Sequence, residues 1–312
     1  MPYAVTSDKV RLYYEEVGQG TPILFVHEFA GDHRSWEPQM REFGKRYRCI
    51  TYSARGYAPS DVPPDGNTYS YQHVMRDCVA MLDHLKIDKA HLVGLSMGGY
   101  TVLQVGLNYT ARVRSMTLAG IGSGSERWYT QDFHKHSQAT ADEFERSGSA
   151  AVAKTYGHGP GRISFAVKDP RGFAEFEAML AQHDAKGSAH TMRHFQGARP
   201  SIYDFEDAIR RLKLPALIVV GDEDDRCIEP SLFLKGSLAA SGLAMFPKTG
   251  HAVNLEEPAL FNAALSDFLT RVDGGCWPSR DPRSISPETL KWNFRLGLLI
   301  KKDRTTVRSR PC

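Results

Sequence analysis

The chain has 312 residues, 41% hydrophobic and 24% charged, the make-up of an ordinary globular protein able to bury a substantial core, with or without an inserted lobe. Its formal charge of +3 is uneven. Residues 273–312 hold nine Lys/Arg against four Asp/Glu, leaving 30 against 32 in residues 1–272, so the body carries no basic footprint for nucleic acid and only the tail is basic.

The five cysteines (Cys49, Cys78, Cys227, Cys276 and Cys312) are scattered, with no C-x-x-C pair, so reduced thiols are expected. No basic-then-apolar leader opens the sequence, and no run approaches the ~18 apolar residues of a membrane span. These features predict a soluble cytoplasmic protein without a membrane partner.

In chain order, residues 3–6 and 10–17 read as antiparallel strands around the Ser7-Asp8-Lys9 turn, and the apolar run 22–26 as a buried strand. A loop, His27-Glu28-Phe29-Ala30-Gly31-Asp32, leads to a helix over 36–47 with Ser35 as N-cap. A strand at 49–52 and a Pro/Gly-rich loop follow. Apolar residues at helical spacing then predict a helix over 71–85.

The stretch Leu92-Val93-Gly94-Leu95-Ser96-Met97-Gly98-Gly99 is a strand running into G-x-S-x-G, followed by a helical pattern over 101–107. A serine nucleophile needs such a turn because it lifts the hydroxyl off the sheet edge. The flanking glycines let strand and helix approach without a Cβ clash. The helix N-terminus beneath the turn lets the Met97 N–H face a developing oxyanion. Ser96 is the predicted nucleophile.

A strand at 114–119 continues the alternation, which implies βαβ crossovers and a mainly parallel sheet. The pattern then breaks. Residues 123–200 are helix-like and aromatic-rich without convincing strands, and read as an inserted lobe. It resumes with a helix over 205–212, a strand at 216–220, a helix over 232–240, a short strand at 243–246 and a closing helix over 258–272. A serine hydroxyl needs a base, usually a histidine held by a carboxylate. Among 12 histidines, His251 follows the last strand in a loop that can reach the elbow. Asp222, Glu223, Asp224 and Asp225 end the preceding strand, and spacing alone does not choose among them.

These motifs together resemble the α/β-hydrolase superfamily over about residues 3–272: the elbow at Ser96, an Asp after a late strand, and Gly250-His251 followed by Glu256-Glu257-Pro258, in that order. The resemblance implies an α/β fold with a mostly parallel eight-stranded sheet, helices on both faces and a helical cap. The core would span 1–122 and 201–272, the cap 123–200, and 273–312 would be a basic extension. Similar members carry the acid three residues after a strand-ending glycine, which selects Asp224.

Two positions depart from the usual pattern. Relatives commonly have His-Gly-x after the third strand, the N–H of x being the second oxyanion donor. Here that donor would be Phe29, and glycine is replaced by Glu28. If that position takes a positive φ, Glu28 is strained or the loop reshaped. The preferred expectation has Glu28 turned away and paired with Arg34 or Arg55; the alternative has its carboxylate entering the pocket and disfavouring anionic substrates. Ser53 stands where relatives usually have Asp before Arg55-Gly56, with no chemistry implied.

In the lobe, His134/His136 and His190/His194 tempt a metal reading, but no H-E-x-x-H or carboxylate pattern accompanies them. No metal or cofactor is expected. In the tail, residues 290–300 could form a basic amphipathic helix, a poorly ordered end being the preferred account.

The sequence reads as a serine hydrolase cleaving a small carboxylic ester or lactone through an acyl-enzyme, its substrate carrying an apolar acyl or aromatic part. Ser96, His251 and Asp224 would form the triad, with the Phe29 and Met97 N–H groups as oxyanion hole. The alternatives are carbon–carbon, amide or perhydrolase-type chemistry on the same triad, a non-catalytic ligand receptor on the same fold, and a scaffold acting through the tail. Haloalkane dehalogenation is disfavoured, because similar members with that activity carry Asp at the Ser96 position. The oligomeric state is open.

Overall fold

A computed structural model describes residues 2–285 of the chain. Eight strands, β1 (Tyr3–Val5), β2 (Arg11–Val17), β3 (Pro22–Val26), β4 (Arg48–Tyr52), β5 (Ala90–Leu95), β6 (Val113–Ala119), β7 (Ala216–Gly221) and β8 (Ser241–Phe246), form one sheet in the order β1-β2-β4-β3-β5-β6-β7-β8. The β1–β2 and β2–β4 pairs are antiparallel; from β4 to β8 every neighbour is parallel. The central strands β5 and β7 are buried along their whole length, which explains why they read as unbroken apolar runs rather than alternating ones.

Side chains still alternate between the two faces. Ile23, Phe25, Val93, Leu95, Leu217 and Val219 pack with Trp36, Phe43, Phe261, Leu265 and Phe268 on one side. Leu24, Val26, Leu92, Met116, Leu118 and Ile218 pack with Val74, Cys78, Leu103 and Leu234 on the other. The first layer is built from α1 (Glu37–Phe43) and the closing helix, the second from α2 (Tyr71–His84), α3 (Met97–Asn108) and the helix Asp225–Ser237.

Between β6 and β7 lie only helices: α4 (Thr130–Ser147), α5 (Ser149–Thr155), α6 (Ile163–Lys168), α7 (Pro170–Ala181), α8 (Ala185–His190) and a π-helical turn, Thr191–Gln196, followed by α9 (Glu206–Arg211). Phe144, Phe165, Phe173, Phe176 and Phe195 are buried among them, whereas Trp128 is 64% exposed. The remaining helices are α10 (Asp225–Ser237), α11 (Val253–Glu256) and α12 (Pro258–Asp273).

Three local expectations shift. Asp32, not Ser35, caps the helix after β3: it accepts from Arg34 N while the Ser35 hydroxyl reaches back to the Asp32 N–H, and a 3₁₀ turn (His33–Trp36) precedes α1. Next, α10 starts at Asp225 rather than near 232 and runs through Pro230, whose missing N–H removes one backbone bond without ending the helix. The tail boundary moves too. Residues up to Pro278 belong to the main unit: the Trp277 indole donates to Ala240 O at 2.9 Å, and its ring meets Phe268 edge-on at 4.7 Å. Within residues 279–285, Asp281 caps the 3₁₀ turn Pro282–Ser284. The amphipathic segment expected at 290–300 lies outside the described residues.

Candidate active site

The C-terminal ends of parallel strands converge on one edge of the sheet, where loops after β3, β5, β7 and β8 meet. After β5 the chain turns through Ser96 at φ 54°, ψ −111°, a conformation that costs energy in any residue with a Cβ. Close packing on either side holds it there. A Cβ on Gly94 would lie 2.3 Å from Gly98 O, and one on Gly98 would lie 2.0 Å from Val26 O. Strand, turn and α3 therefore fit only with glycine at both places. Ser96 N donates to Ala119 O at 2.8 Å, and the side chain is left partly exposed. No hydrogen bond joins Ser96 Oγ to another described residue.

After β7, the four acidic residues separate by role. Asp222 accepts from Thr249 N at 3.1 Å, Glu223 N donates to Thr249 O at 2.9 Å, and Asp225 is exposed at the start of α10. Asp224 is buried, and its Oδ2 lies 2.7 Å from His251 Nδ1. The loop carrying His251 is pinned by its own N–H on Gly161 O (2.6 Å) and by Gly250 N on Glu256 Oε2 (2.9 Å). Burial alone would pull the imidazole's pKa down; the charge and hydrogen bond of Asp224 outweigh it and leave it raised above the ordinary value.

Glu28 is not where it was preferentially expected. Arg34 is engaged by Asp32, and Arg55 by Asp77 and Asp8. Glu28 is 2% exposed and pairs with Arg162, which comes from the segment between α5 and α6. Its Oε2 stands 3.9 Å from His251 Nε2. Glu28 is not among the residues with positive φ, so the glycine-to-glutamate change strains nothing. The neighbouring His27 braces the loop: its Nδ1 lies 2.6 Å from Glu28 O, and its Nε2 accepts from Ala54 N at 3.0 Å. That Nε2 accepts requires the neutral ring, and burial holds its pKa down at about 4. Neither the Phe29 nor the Met97 N–H has a hydrogen-bond acceptor among the described residues. The Phe29 ring packs edge-on against Tyr156 (5.4 Å) and Phe144 (5.8 Å) of the helical segment.

Three side chains at the site escaped the sequence. Arg162 is buried over the Tyr156 and Phe176 rings, at 5.3 and 5.4 Å. Arg199 is buried over Tyr100. The Cys227 thiol donates to Gly120 O at 3.2 Å and lies 3.9 Å from His251 Nδ1. None sits in a motif; distant folding brings Arg162 and Arg199 here, whereas Cys227 lies three residues after Asp224 and donates its N–H to Asp224 O at 2.8 Å.

Asp224, Cys227 and His251 are the one trio among the described residues whose donor atoms fall close enough for a metal, within 4.8 Å of one another. Two ligands on one tetrahedral zinc stand about 3.3 Å apart, whereas Asp224 and His251 are at hydrogen-bond distance, so the trio is built as a carboxylate–imidazole pair with a thiol beside it. The His190 and His194 rings lie 5.8 Å apart, and no third ligand group joins either histidine pair of the lobe among the described residues.

A strained serine at a strand–helix elbow, with a carboxylate-held histidine on a neighbouring loop of a parallel sheet, defines a class of hydrolytic enzymes. The family model for the alpha/beta hydrolase fold matches residues 21–258, and the chain belongs to that family. Among curated relatives, it is 29% identical over 251 residues to 3-oxoadipate enol-lactonase 1 of Acinetobacter baylyi, covering 80% of this chain and 89% of that one. Among solved structures, a thermophilic esterase from Thermogutta terrifontis superposes with a TM-score of 0.78 at 23% identity, covering 87% and 98% of the two chains. An N-acyl homoserine lactone degrading enzyme does so with a TM-score of 0.71 at 26% identity, covering 86% and 100%.

Proposed function

We propose that the protein is a serine hydrolase that cleaves a small carboxylic ester or lactone through an acyl-enzyme. The observation that carries this reading is the 2.7 Å contact of His251 Nδ1 with Asp224, with His251 and Leu95, the residue before the strained Ser96, both packed against Gly120. A relative named as an enol-lactonase supports the substrate class.

In this mechanism Asp224 fixes the imidazole so that Nε2 is the accepting nitrogen. His251 Nε2 takes the Ser96 proton as Oγ attacks the acyl carbon, and the oxyanion is met by the Phe29 and Met97 N–H groups. Each such donor is worth about 10²–10³ in rate. His251 then passes the proton to the departing alcohol oxygen. Water, deprotonated by the same imidazole, attacks the acyl-enzyme and releases the carboxylic acid with Ser96 restored. The balance is one water consumed and one ester bond broken, with no cofactor.

The helices of residues 123–200 act as the cap. Phe29, Phe144 and Tyr156 give the site an aromatic wall that suits an apolar acyl or aromatic substrate part. The free thiols Cys49, Cys78 and Cys227 are buried and Cys276 is exposed, which fits a reducing, cytoplasmic location.

The test is hydrolysis of 4-nitrophenyl esters from acetate to octanoate by the parent and Ser96→Ala. Turnover should fall by at least about three orders of magnitude in the variant, and a fluorophosphonate should label Ser96 in the parent alone. Equal activity in both proteins would remove Ser96 as nucleophile.

A further inference from the structure

Two arginines are buried on the helical side of the site, and only one is neutralised. Arg162 has Glu28 as its counter-ion. Arg199, in the segment linking the π-helical turn to α9, is 6% exposed and has no carboxylate within ion-pair distance among the described residues. Its Nη2 donates to Ser123 O at 2.7 Å, and its Nε has no partner. The guanidinium lies over the Tyr100 ring at 4.6 Å and near Phe133 at 5.3 Å. Two aromatic faces and one carbonyl offset part of the lost hydration, but they leave most of its five N–H groups unused.

The place of this cation matters. Tyr100 lies four residues beyond Ser96 on α3, one turn along the same helix face. The charged or titratable groups that Arg199 feels most strongly are Tyr100, Cys227, Glu126 and Tyr156. Cys227 is beside His251, and Tyr156 also feels Arg162 and Glu28. Ser123, whose carbonyl Arg199 holds, lies three residues beyond Gly120, where a Cβ would stand 3.4 Å from His251 Cε1, so Arg199 borders the site along the loop that passes His251. Glu126, the nearby acid, is buried with an unpartnered Oε2 and makes no ion pair with it; burial raises its pKa.

Building on the serine-hydrolase reading, we propose that Arg199 anchors a carboxylate on the substrate, so that the preferred substrate is a small ester or lactone carrying a second, free carboxylate. The planar guanidinium fork matches a carboxylate in two parallel hydrogen bonds, and exclusion of water strengthens that pairing. Glu28 does not oppose it, because Arg162 already neutralises that carboxylate. With Glu28 paired to Arg162 and Asp224 to His251, Arg199 is left as the buried cation without a carboxylate of its own among the described residues.

The experiment measures glutarate and adipate as ligands of the full-length parent, against glutaramide and adipamide, the neutral diamides of equal length. Calorimetric titration reads binding whether or not any ester is turned over, so failure here is distinguishable from failure of the hydrolase reading. The diacids should bind and, where ester hydrolysis is measurable, compete with it; the diamides should be weaker by about tenfold or more, the loss expected for a charge-assisted pair. Arg199→Met should weaken diacid binding by about the same factor while leaving the diamides' affinity much less affected, and Arg199→Lys should recover part of it. Diacids that bind no better than diamides would overturn the proposal, as would an Arg199→Met protein that loses both ligand types equally. If Arg199→Met does not fold, the parent's diacid-to-diamide ratio and the Arg199→Lys protein decide the matter alone.

Discussion

Glu28 puts a carboxylate 3.9 Å from the nitrogen that takes the Ser96 proton in the proposed mechanism. Its charge works with Asp224 to hold the His251 pKa up, while Arg162 works against both. The base must be deprotonated to act, so kcat/KM should rise with pH through a midpoint above the ordinary histidine value. Removing Glu28 deletes one raising influence and unmasks a lowering one, and both changes have the same sign. Glu28→Gln should therefore move the acid limb of the kcat/KM profile to lower pH, and Asp224→Asn should move it the same way. A limb that stays put or moves up in Glu28→Gln would show that the carboxylate does not act on the imidazole. Nothing in the sequence could name Arg162 as the partner: it lies 134 residues from Glu28, flanked by no motif. Arg34 and Arg55, the nearer candidates in the chain, are both claimed by other carboxylates.

The elbow is the element on which the site geometry depends, and it was readable in advance because its constraint is local. Gly94 and Gly98 flank Ser96 within five residues, and each is needed for a contact the sequence pattern itself implies. A Cβ at Gly98 would stand 2.0 Å from Val26 O and 2.7 Å from His27 O, so Gly98→Ala must push α3 away from the end of β3. Those two elements carry Met97 and the loop to Phe29, and separating them widens the gap between the two proposed oxyanion donors. The variant should lose about 1–3 kcal/mol of stability, as overpacked sites do, and lose more in kcat than in KM. A variant with parental melting temperature and kcat would mean that the elbow tolerates the displacement. The helical segment is the opposite case. Its helices and the absence of strands could be read from composition and periodicity, but not which side chains turn toward Ser96. That depends on how α4 to α8 pack, and residues such as Tyr156 and Arg199 carry no local mark of the roles proposed for them.

At the scale of the whole molecule, Arg55 joins three distant parts of the fold from a fully buried position. It grips Asp77 of α2 through two 2.6 Å hydrogen bonds, and donates to Asp8 in the β1–β2 turn and to Thr68 O, both at 2.8 Å. The sequence marked Arg55-Gly56 as a retained pattern without showing its partners, which become adjacent only when the sheet closes. Arg55→Met leaves Asp77 buried without a counter-charge and should cost about 3–5 kcal/mol in urea denaturation. Arg55→Lys should recover little, since one ammonium cannot reproduce the planar fork. A pH series separates the Asp8 contribution. The hydrogen bond from Arg55 leads the influences that hold the Asp8 pKa at about 2, against 3.8 for a free side chain. A carboxyl depressed on folding stabilises above its unfolded pKa, and that part is lost as pH falls toward the folded value. The parent should therefore lose this component between about pH 4 and pH 2, and Arg55→Met should lose a smaller one, since the Thr6 hydroxyl's hydrogen bond to Asp8 remains. If both proteins lose stability in parallel across that range, Arg55 does not tie Asp8 to the fold, and the β1–β2 turn is held by its own backbone bonds and by the Thr6 hydroxyl, which donates to Asp8 and accepts from Val10 N.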